Sequence, residues 1–443
     1  MTHASASRIR PGLRAIASVA LLWTACRTPP PAAESTPTDP APQADDPTER
    51  LDTDTSDPTD SGSRWAESDR TLILVSLDGV RWDYLDRVET PALDRLIAEG
   101  VRAEGLIPVF PSKTFPNHFT QVTGLYPAEH GIVGNSFWDE DLQDSFDMSE
   151  TGSEWWGGEP IWITAAKQGL RATTMYWPGS ETDYDGWHPD AWVPFDPPVR
   201  NDKRVEQVLE WLDEPQPPHF ATLYFSDVDG AGHSYGPDSP EVDSAMRTVD
   251  DMLQRLIDGL EERGKLDAVD LVVVSDHGMT QLSRDRAIFL DDHVTIDDFW
   301  IAAWGAYATL DPIDGDATGV LEALADLPHA SCSDDATRPA ELQFPSGSRI
   351  PPILCTAENG WGITSHEWFD THPDDLTGAT HGFVPTARDM HGVFVARGPH
   401  VQNGVNVPAF SSVHLYELFA ELLQITPAPN SGDPAQTQAV LLR

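Results

Sequence analysis

With 443 residues and 40% hydrophobic content, the chain can bury a large core, enough for one elaborate enzyme domain or two ordinary ones. Its 72 Asp plus Glu against 28 Lys plus Arg give a formal net charge of -44, which disfavours a surface that neutralises nucleic-acid phosphates or binds anionic lipid. No polyanion-binding module is expected, and the acidity reads as a solvated surface rather than as chemistry.

In chain order, residues 1–26 carry Arg8, Arg10 and Arg14, then an apolar run from Ala15 to Ala25, then Cys26. That pattern resembles a secretory signal peptide, and the run is too short to span a bilayer. Leu22-Trp23-Thr24-Ala25-Cys26 also resembles a bacterial lipoprotein cleavage site with Cys26 as the lipidated residue, although Trp23 replaces the usual aliphatic side chain. Residues 27–69 are dominated by Pro, Thr, Ser, Ala, Asp and Glu with almost no large apolar residue, and are expected to be a disordered tether. The expected location is the cell envelope, lipid-anchored, or the periplasm or exterior. Export leaves Cys332 and Cys355 as a disulfide pair in an oxidising compartment, against two buried free thiols.

After the tether, residues 71–77 are a short apolar run, and 91–100 have helical spacing of Leu93, Leu96 and Ile97. The alternation returns with a strand at 221–225, a long helix from about 241 to 263, and a strand at 271–274. Near-continuous apolar strands of this kind predict an α/β fold, a mainly parallel sheet with helices on both faces. We expect one domain from about residue 70 to 443, with irregular Trp- and Pro-rich loops between Phe137 and Pro198.

Three of the apolar runs are followed by carboxylates: Asp78, Asp229, and Asp276 with His277. In open parallel sheets ligands bind outside the carboxyl ends of the strands, so these groups would converge, and like charges that close need a cation. Asp229 and His233 can reach one centre from a helical turn or a tight loop, and Gly230 and Gly232 favour the loop. Asp276 and His277 can both serve only if the chain turns there, which Gly278 allows. Taken singly, each Asp is as readily a helix cap and each His an ordinary hydrogen-bonded side chain. Their joint occurrence, with His381-Gly382 further on, points to metal, and imidazole with carboxylate suits zinc. The segment 110–118 precedes a short helical stretch with Thr114 near its start, where anions are favoured and where Thr114 alone would be an N-cap.

The motifs then carry a resemblance. Lys-Thr-Phe-Pro-Asn-His at 113–118, Thr-Gly-Leu-Tyr-Pro at 123–127, His-Gly-Ile at 130–132, Asp-x-x-Gly-His-x-x-Gly-Pro at 229–237 and Ser-Asp-His-Gly-Met at 275–279 resemble the nucleotide pyrophosphatase/phosphodiesterase family of the alkaline phosphatase superfamily. The resemblance covers about 70–400 and implies an alkaline phosphatase-like fold with two zinc ions. Asp229, His233 and His381 would hold one; Asp78, Asp276, His277 and the Thr114 oxygen would hold the other. Thr114 would be the nucleophile and Asn135 a phosphate-binding residue. Phe115 and Trp192 lie where a nucleobase would stack, and Trp177-Pro178-Gly179-Ser180 also fits the family. Two departures stand out. His381-Gly382 is followed by Phe383-Val384 instead of an Asp-Asn pair, which keeps His372 and His391 in view as substitutes, and Asp227-Val228-Asp229 replaces Glu-Pro-Asp.

The resemblance implies an enzyme that cleaves small phosphodiesters or pyrophosphates, with nucleotides as the expected substrates, through a phosphothreonine on Thr114. Lipid phosphodiesters remain open, as does a phosphomonoesterase, which would need more cationic groups than Lys113 near the nucleophile. A sulfatase would want Cys or Ser in a Cys/Ser-x-Pro-x-Arg context, which Thr114-Phe115-Pro116 does not supply. A surface-tethered binding protein that keeps metal only for stability is the nonenzymatic alternative, and the intact Thr114 argues against it. Nucleic acid is not an expected partner, and membrane contact is expected only through the N-terminal anchor.

Overall fold

The structure is a computed structural model that describes residues 70–196 and 198–442, so the leader and tether readings lie outside the described residues. Eight strands form the main sheet: β1 (Leu72–Leu77), β2 (Val101–Ala103), β3 (Ala172–Met175), β4 (Ala191–Val193), β5 (Phe220–Phe225), β6 (Asp270–Val274), β7 (Phe394–Arg397) and β8 (Val405–Val407). Their order is β8-β2-β7-β6-β1-β5-β3-β4, and only β7 runs against the others. Central β1 lies parallel to β5 and β6, with Leu72 opposite both Phe220 and Asp270.

Seven helices matter for the layers: α1 (Pro91–Ala98), α2 (Thr114–Thr123), α3 (Ile161–Lys167), α4 (Asn201–Leu212), α5 (Asp227–Tyr235), α6 (Pro240–Glu262) and α7 (Leu415–Leu423). Because side chains alternate along a strand, β1 feeds two cores. Leu72 and Leu74 join Val272, Val274, Phe119 and Val122 of α2, Trp162 of α3 and Leu418 of α7. Ile73, Val75 and Leu77 join Val273, Leu223, Leu93 of α1, Val208 of α4 and Leu253 of α6. Helices therefore cover both faces of a mainly parallel sheet. Among the described residues no helix is long and apolar enough to cross a membrane.

Two parts of the chain depart from the expectation. The stretch 137–198 is not only loop: it supplies a hairpin (Phe137–Asp139 with Asp144–Phe146), α3, β3 and β4. Helix α3 is buried all round from Ile161 to Ala166 and so shows no amphipathic period, while β4 is a three-residue edge strand. A second, antiparallel sheet of Phe299–Ala303, Tyr307–Pro312, Ile353–Ala357 and Ala330–Ser333 was not legible in the sequence. Its Leu310, Ile353 and Leu354 continue the first core. Cys332 and Cys355 face each other across this sheet and are disulfide-bonded.

Polar groups also sit deep in the core. Fully buried His130 accepts the Ile132 N–H on Nδ1 at 3.1 Å and meets Thr120 Oγ1 through Nε2 at 3.0 Å, and burial pushes its pKa down to about 3. Protonation would turn Nδ1 into a donor facing another donor. The folded pKa lies below the unfolded value, so stability is full above about pH 6.5 and falls as pH drops toward the folded value, by at most about 1.4 kcal/mol per pH unit from this group. Urea denaturation from pH 7.5 to 4.5 should show that loss, and His130→Gln should flatten it.

Candidate active site

The carboxyl ends of β6, β1 and β5 lie side by side, and the residues just beyond them meet. Asp78 follows β1 directly, Asp276 follows β6 after Ser275, and Asp229 sits in the first turn of α5 after β5. The Asp229 N–H donates to Asp78 O at 3.1 Å. Gly79 makes this approach possible: its φ is +70°, and a Cβ there would stand 2.8 Å from Asp229 Cα. The 229–233 segment is a helix, not the loop that its glycines suggested. Asp229 and His233 therefore share a face at i and i+4, with His233 Nε2 3.4 Å from Asp229 Oδ1. Packing overrides the propensity, since a Cβ on Gly232 would meet Met279 at 3.0 Å. After β6 the chain bends, presenting Asp276 and His277 together, and Gly278 is needed for close passage: a Cβ would lie 2.1 Å from Asp389 O.

These side chains fit divalent cations. Asp78 Oδ1, Asp229 Oδ1 and Asp276 Oδ2 are buried without a hydrogen-bond partner. The other oxygens of two of them are held, Asp78 Oδ2 by the Tyr224 hydroxyl at 2.6 Å and Asp276 Oδ1 by the Gly79 N–H at 3.2 Å. His233, His277 and His381 each place Nδ1 on a backbone carbonyl, Ala379 at 2.9 Å, Gly278 at 2.9 Å and Ser112 at 2.8 Å. A carbonyl only accepts, so Nδ1 carries the proton and Nε2 presents a lone pair, as in metal-ligating histidines. Ligand atoms of Asp229, His233 and His381, and of Asp78, Asp229 and His277, lie within 4.8 Å of one another.

Charge is balanced only in part by the protein. Burial, then Asp276 and Asp229, hold the Asp78 carboxyl well above its ordinary range. Burial, the largest influence, acts in the same direction on Asp229 and Asp276, yet both lie below the ordinary range when the facing rings carry charge, His233 for the first and His277 with His118 for the second. Burial and the neighbouring His277 and Lys113 push His381 well below the usual imidazole range. Neutral imidazole is the form that ligates a cation.

Thr114 is the first residue of α2, and the cap position belongs to Lys113, so Thr114 is not an N-cap. Its Oγ1 lies 3.3 Å from His277 Nε2. Asn135 Oδ1 accepts the Phe115 N–H at 3.0 Å, which takes that N–H out of any anion site and leaves the Asn135 amide nitrogen as the donor. Among the described residues, neither His372 nor His391 belongs to a group of ligand atoms within 4.8 Å of one another, whereas His381 does, with Nε2 3.8 Å from Asp229 Oδ1. Asp227 turns away to Asn201 at 2.9 Å. Trp192 is 40% exposed on β4 and stacks on His188, whereas Phe195, 44% exposed, lies 5.9 Å from the Tyr224 ring whose hydroxyl binds Asp78. Phe115 packs on Phe146 and Trp156 beside Thr114. Sequence reasoning passed over Phe195, Tyr224 and His118. Phe195 was one of many aromatics in a stretch read as loop, and Tyr224 read as a strand residue.

The sequence matches the type I phosphodiesterase / nucleotide pyrophosphatase profile over residues 72–384. The chain belongs to that family. It is 34% identical over 375 residues to human ectonucleotide pyrophosphatase/phosphodiesterase family member 5, covering 84% of this chain and 78% of the relative. It is also 34% identical over 379 residues to a venom phosphodiesterase of Crotalus durissus collilineatus, covering 82% of this chain but only 45% of the relative. The chain thus spans about half the length of the venom phosphodiesterases it matches. Among solved structures, an inactive variant of murine ectonucleotide pyrophosphatase/phosphodiesterase 5 in complex with AMP superimposes with a TM-score of 0.80 at 32% identity, covering 84% of this chain and all of the other.

The contact at Gly79 gives a test. Gly79→Ala must push β1 away from α5 and separate Asp78 from Asp229. Elemental analysis after zinc loading and dialysis should then find metal content reduced by about half or more.

Proposed function

We propose that this chain hydrolyses phosphodiester or pyrophosphate bonds of nucleotides at two zinc ions, with Thr114 as nucleophile. The observation that carries this reading is the placement of Thr114 Oγ1 at the start of α2, 3.3 Å from His277 Nε2, beside three buried carboxylate oxygens that lack hydrogen bonds. Family membership and the AMP complex of the murine relative support a nucleotide substrate.

Asp229, His233 and His381 would hold one zinc; Asp78, Asp276 and His277, with the Thr114 oxygen, would hold the other. When bound, the two ions supply Lewis acidity, lowering the pKa of a coordinated hydroxyl and stabilising charge on the attacking and leaving oxygens. Thr114 Oγ gives up its proton to solvent water and attacks phosphorus, so that an O–P bond forms as the bond to the leaving oxygen breaks and that oxygen takes up a proton from solvent, giving a phosphothreonine that still carries the nucleoside. Water then attacks the same phosphorus, releasing the nucleoside phosphate and restoring Thr114. The Asn135 amide nitrogen, oriented by the Phe115 N–H on its oxygen, donates to a nonbridging oxygen. Phe115 beside Thr114 and Phe195 against Tyr224 offer partly exposed rings for a nucleobase, with Trp192 outside them on His188.

In the same reading, residues 1–26 direct export with Cys26 as the lipidation site, 27–69 tether, and 70–443 form the catalytic domain. The ectoenzyme and venom names of the relatives agree with work outside the cell.

Thr114→Ala should lower turnover of a nucleotide diester by about a thousandfold or more while zinc content stays at the wild-type level. Substantial remaining turnover would remove Thr114 as the nucleophile. His381→Ala should release about one zinc equivalent per chain, measured by elemental analysis.

A further inference from the structure

His118 lies one helical turn beyond Thr114 on α2 and is fully buried. Its Nδ1 meets Thr114 O at 2.9 Å and stands 3.5 Å from Asp276 Oδ2. Because the carbonyl only accepts, Nδ1 carries the proton, and Nε2 then accepts from Ser76 Oγ at 2.7 Å. Ser76 precedes Asp78 by two residues on β1. The His118 carbonyl accepts Trp177 Nε1–H at 3.1 Å, and the ring stands edge-on to Trp177 and Tyr224 at 5.0 and 5.4 Å.

His118 shares a cluster with Asp78 and Asp276 that has metal-ligand spacing, but both of its nitrogens are already engaged, so it does not read as a ligand. One imidazole instead touches the backbone of the nucleophile, the strand that leads to Asp78, and the carboxylate of Asp276. Few side chains could join those three pieces, which come from separate parts of the chain and must agree within a fraction of an ångström for in-line attack.

We propose that His118 is a positioning residue that sets the Thr114 hydroxyl against Asp78 and Asp276; this rests on Thr114 being the nucleophile. His118→Asn keeps a donor near Nδ1 and loses the Ser76 contact, and Ser76→Ala loses the same contact from the other side. Both singles and the double variant are assayed for kcat and KM on a nitrophenyl nucleotide diester, and for zinc per chain. Each single should lower kcat about tenfold with KM within about twofold and zinc unchanged, and the double should be no worse than the poorer single, because one interaction is removed in all three.

Independent, multiplicative losses in the double would overturn the proposal, as would wild-type kcat in the singles or a loss of kcat matched by loss of zinc. Ser76→Ala is a small deletion and keeps the test decisive if His118→Asn folds poorly. Retained turnover in Thr114→Ala would defeat the underlying nucleophile reading, whereas an inactive Thr114→Ala with fully active His118 and Ser76 variants would defeat only this one.

Discussion

Three carboxylates buried against one another are the constraint on which the rest of the site depends. Oxygens of Asp78 lie within 4.8 Å of oxygens of both Asp229 and Asp276, and at an effective dielectric near 20 each such pair of charges repels by about 3 kcal/mol. The protein answers only in part, with the Tyr224 hydroxyl on Asp78, the Gly79 N–H on Asp276, and imidazoles facing Asp229 and Asp276. Two divalent cations against three carboxylates and one alkoxide would leave the centre near neutral, so an anionic substrate can approach even though the whole chain is strongly acidic.

The parallel sheet creates this crowding and also controls it. Adjacent β6, β1 and β5 end together, and each end is followed within four residues by a buried or partly buried carboxylate. Glycines at 79 and 278 allow backbones to pass where a methyl group would collide. Thr114 arrives on α2, a helix whose buried Asn117, His118, Thr120 and Gln121 are polar. They bond to the Val109 backbone, to Ser76, to His130 and to Ser275 O, respectively. This helix is held in one register by its hydrogen bonds as well as by the apolar stripe of Phe115, Phe119 and Val122, because each buried polar group left unpaired would be destabilising. Positional accuracy at Thr114 results from that satisfaction.

Much of this was legible because strand-end chemistry is local. The apolar runs before Asp78, Asp229 and Asp276 announce both the strands and the carboxylates at their ends, and His381 could be placed near them once the motifs suggested a family. Less local features were hidden. The glycines at 230 and 232 argue for a loop, and only packing against Met279 explains why α5 is helical. Helix α3 is buried on every side and shows no period. That Phe195 lies against the Tyr224 ring while Trp192 stacks on His188 is a matter of contacts between segments that no spacing encodes.

A diester-cleaving centre built on Thr114 and two metal ions is tested most directly by a ratio of rates. With zinc-replete protein, kcat/KM for a nitrophenyl nucleotide diester is compared with that for nitrophenyl phosphate under one set of conditions. Such a centre should prefer the diester by about a hundredfold or more. A preference for the monoester would contradict it and make the same metal centre a phosphatase.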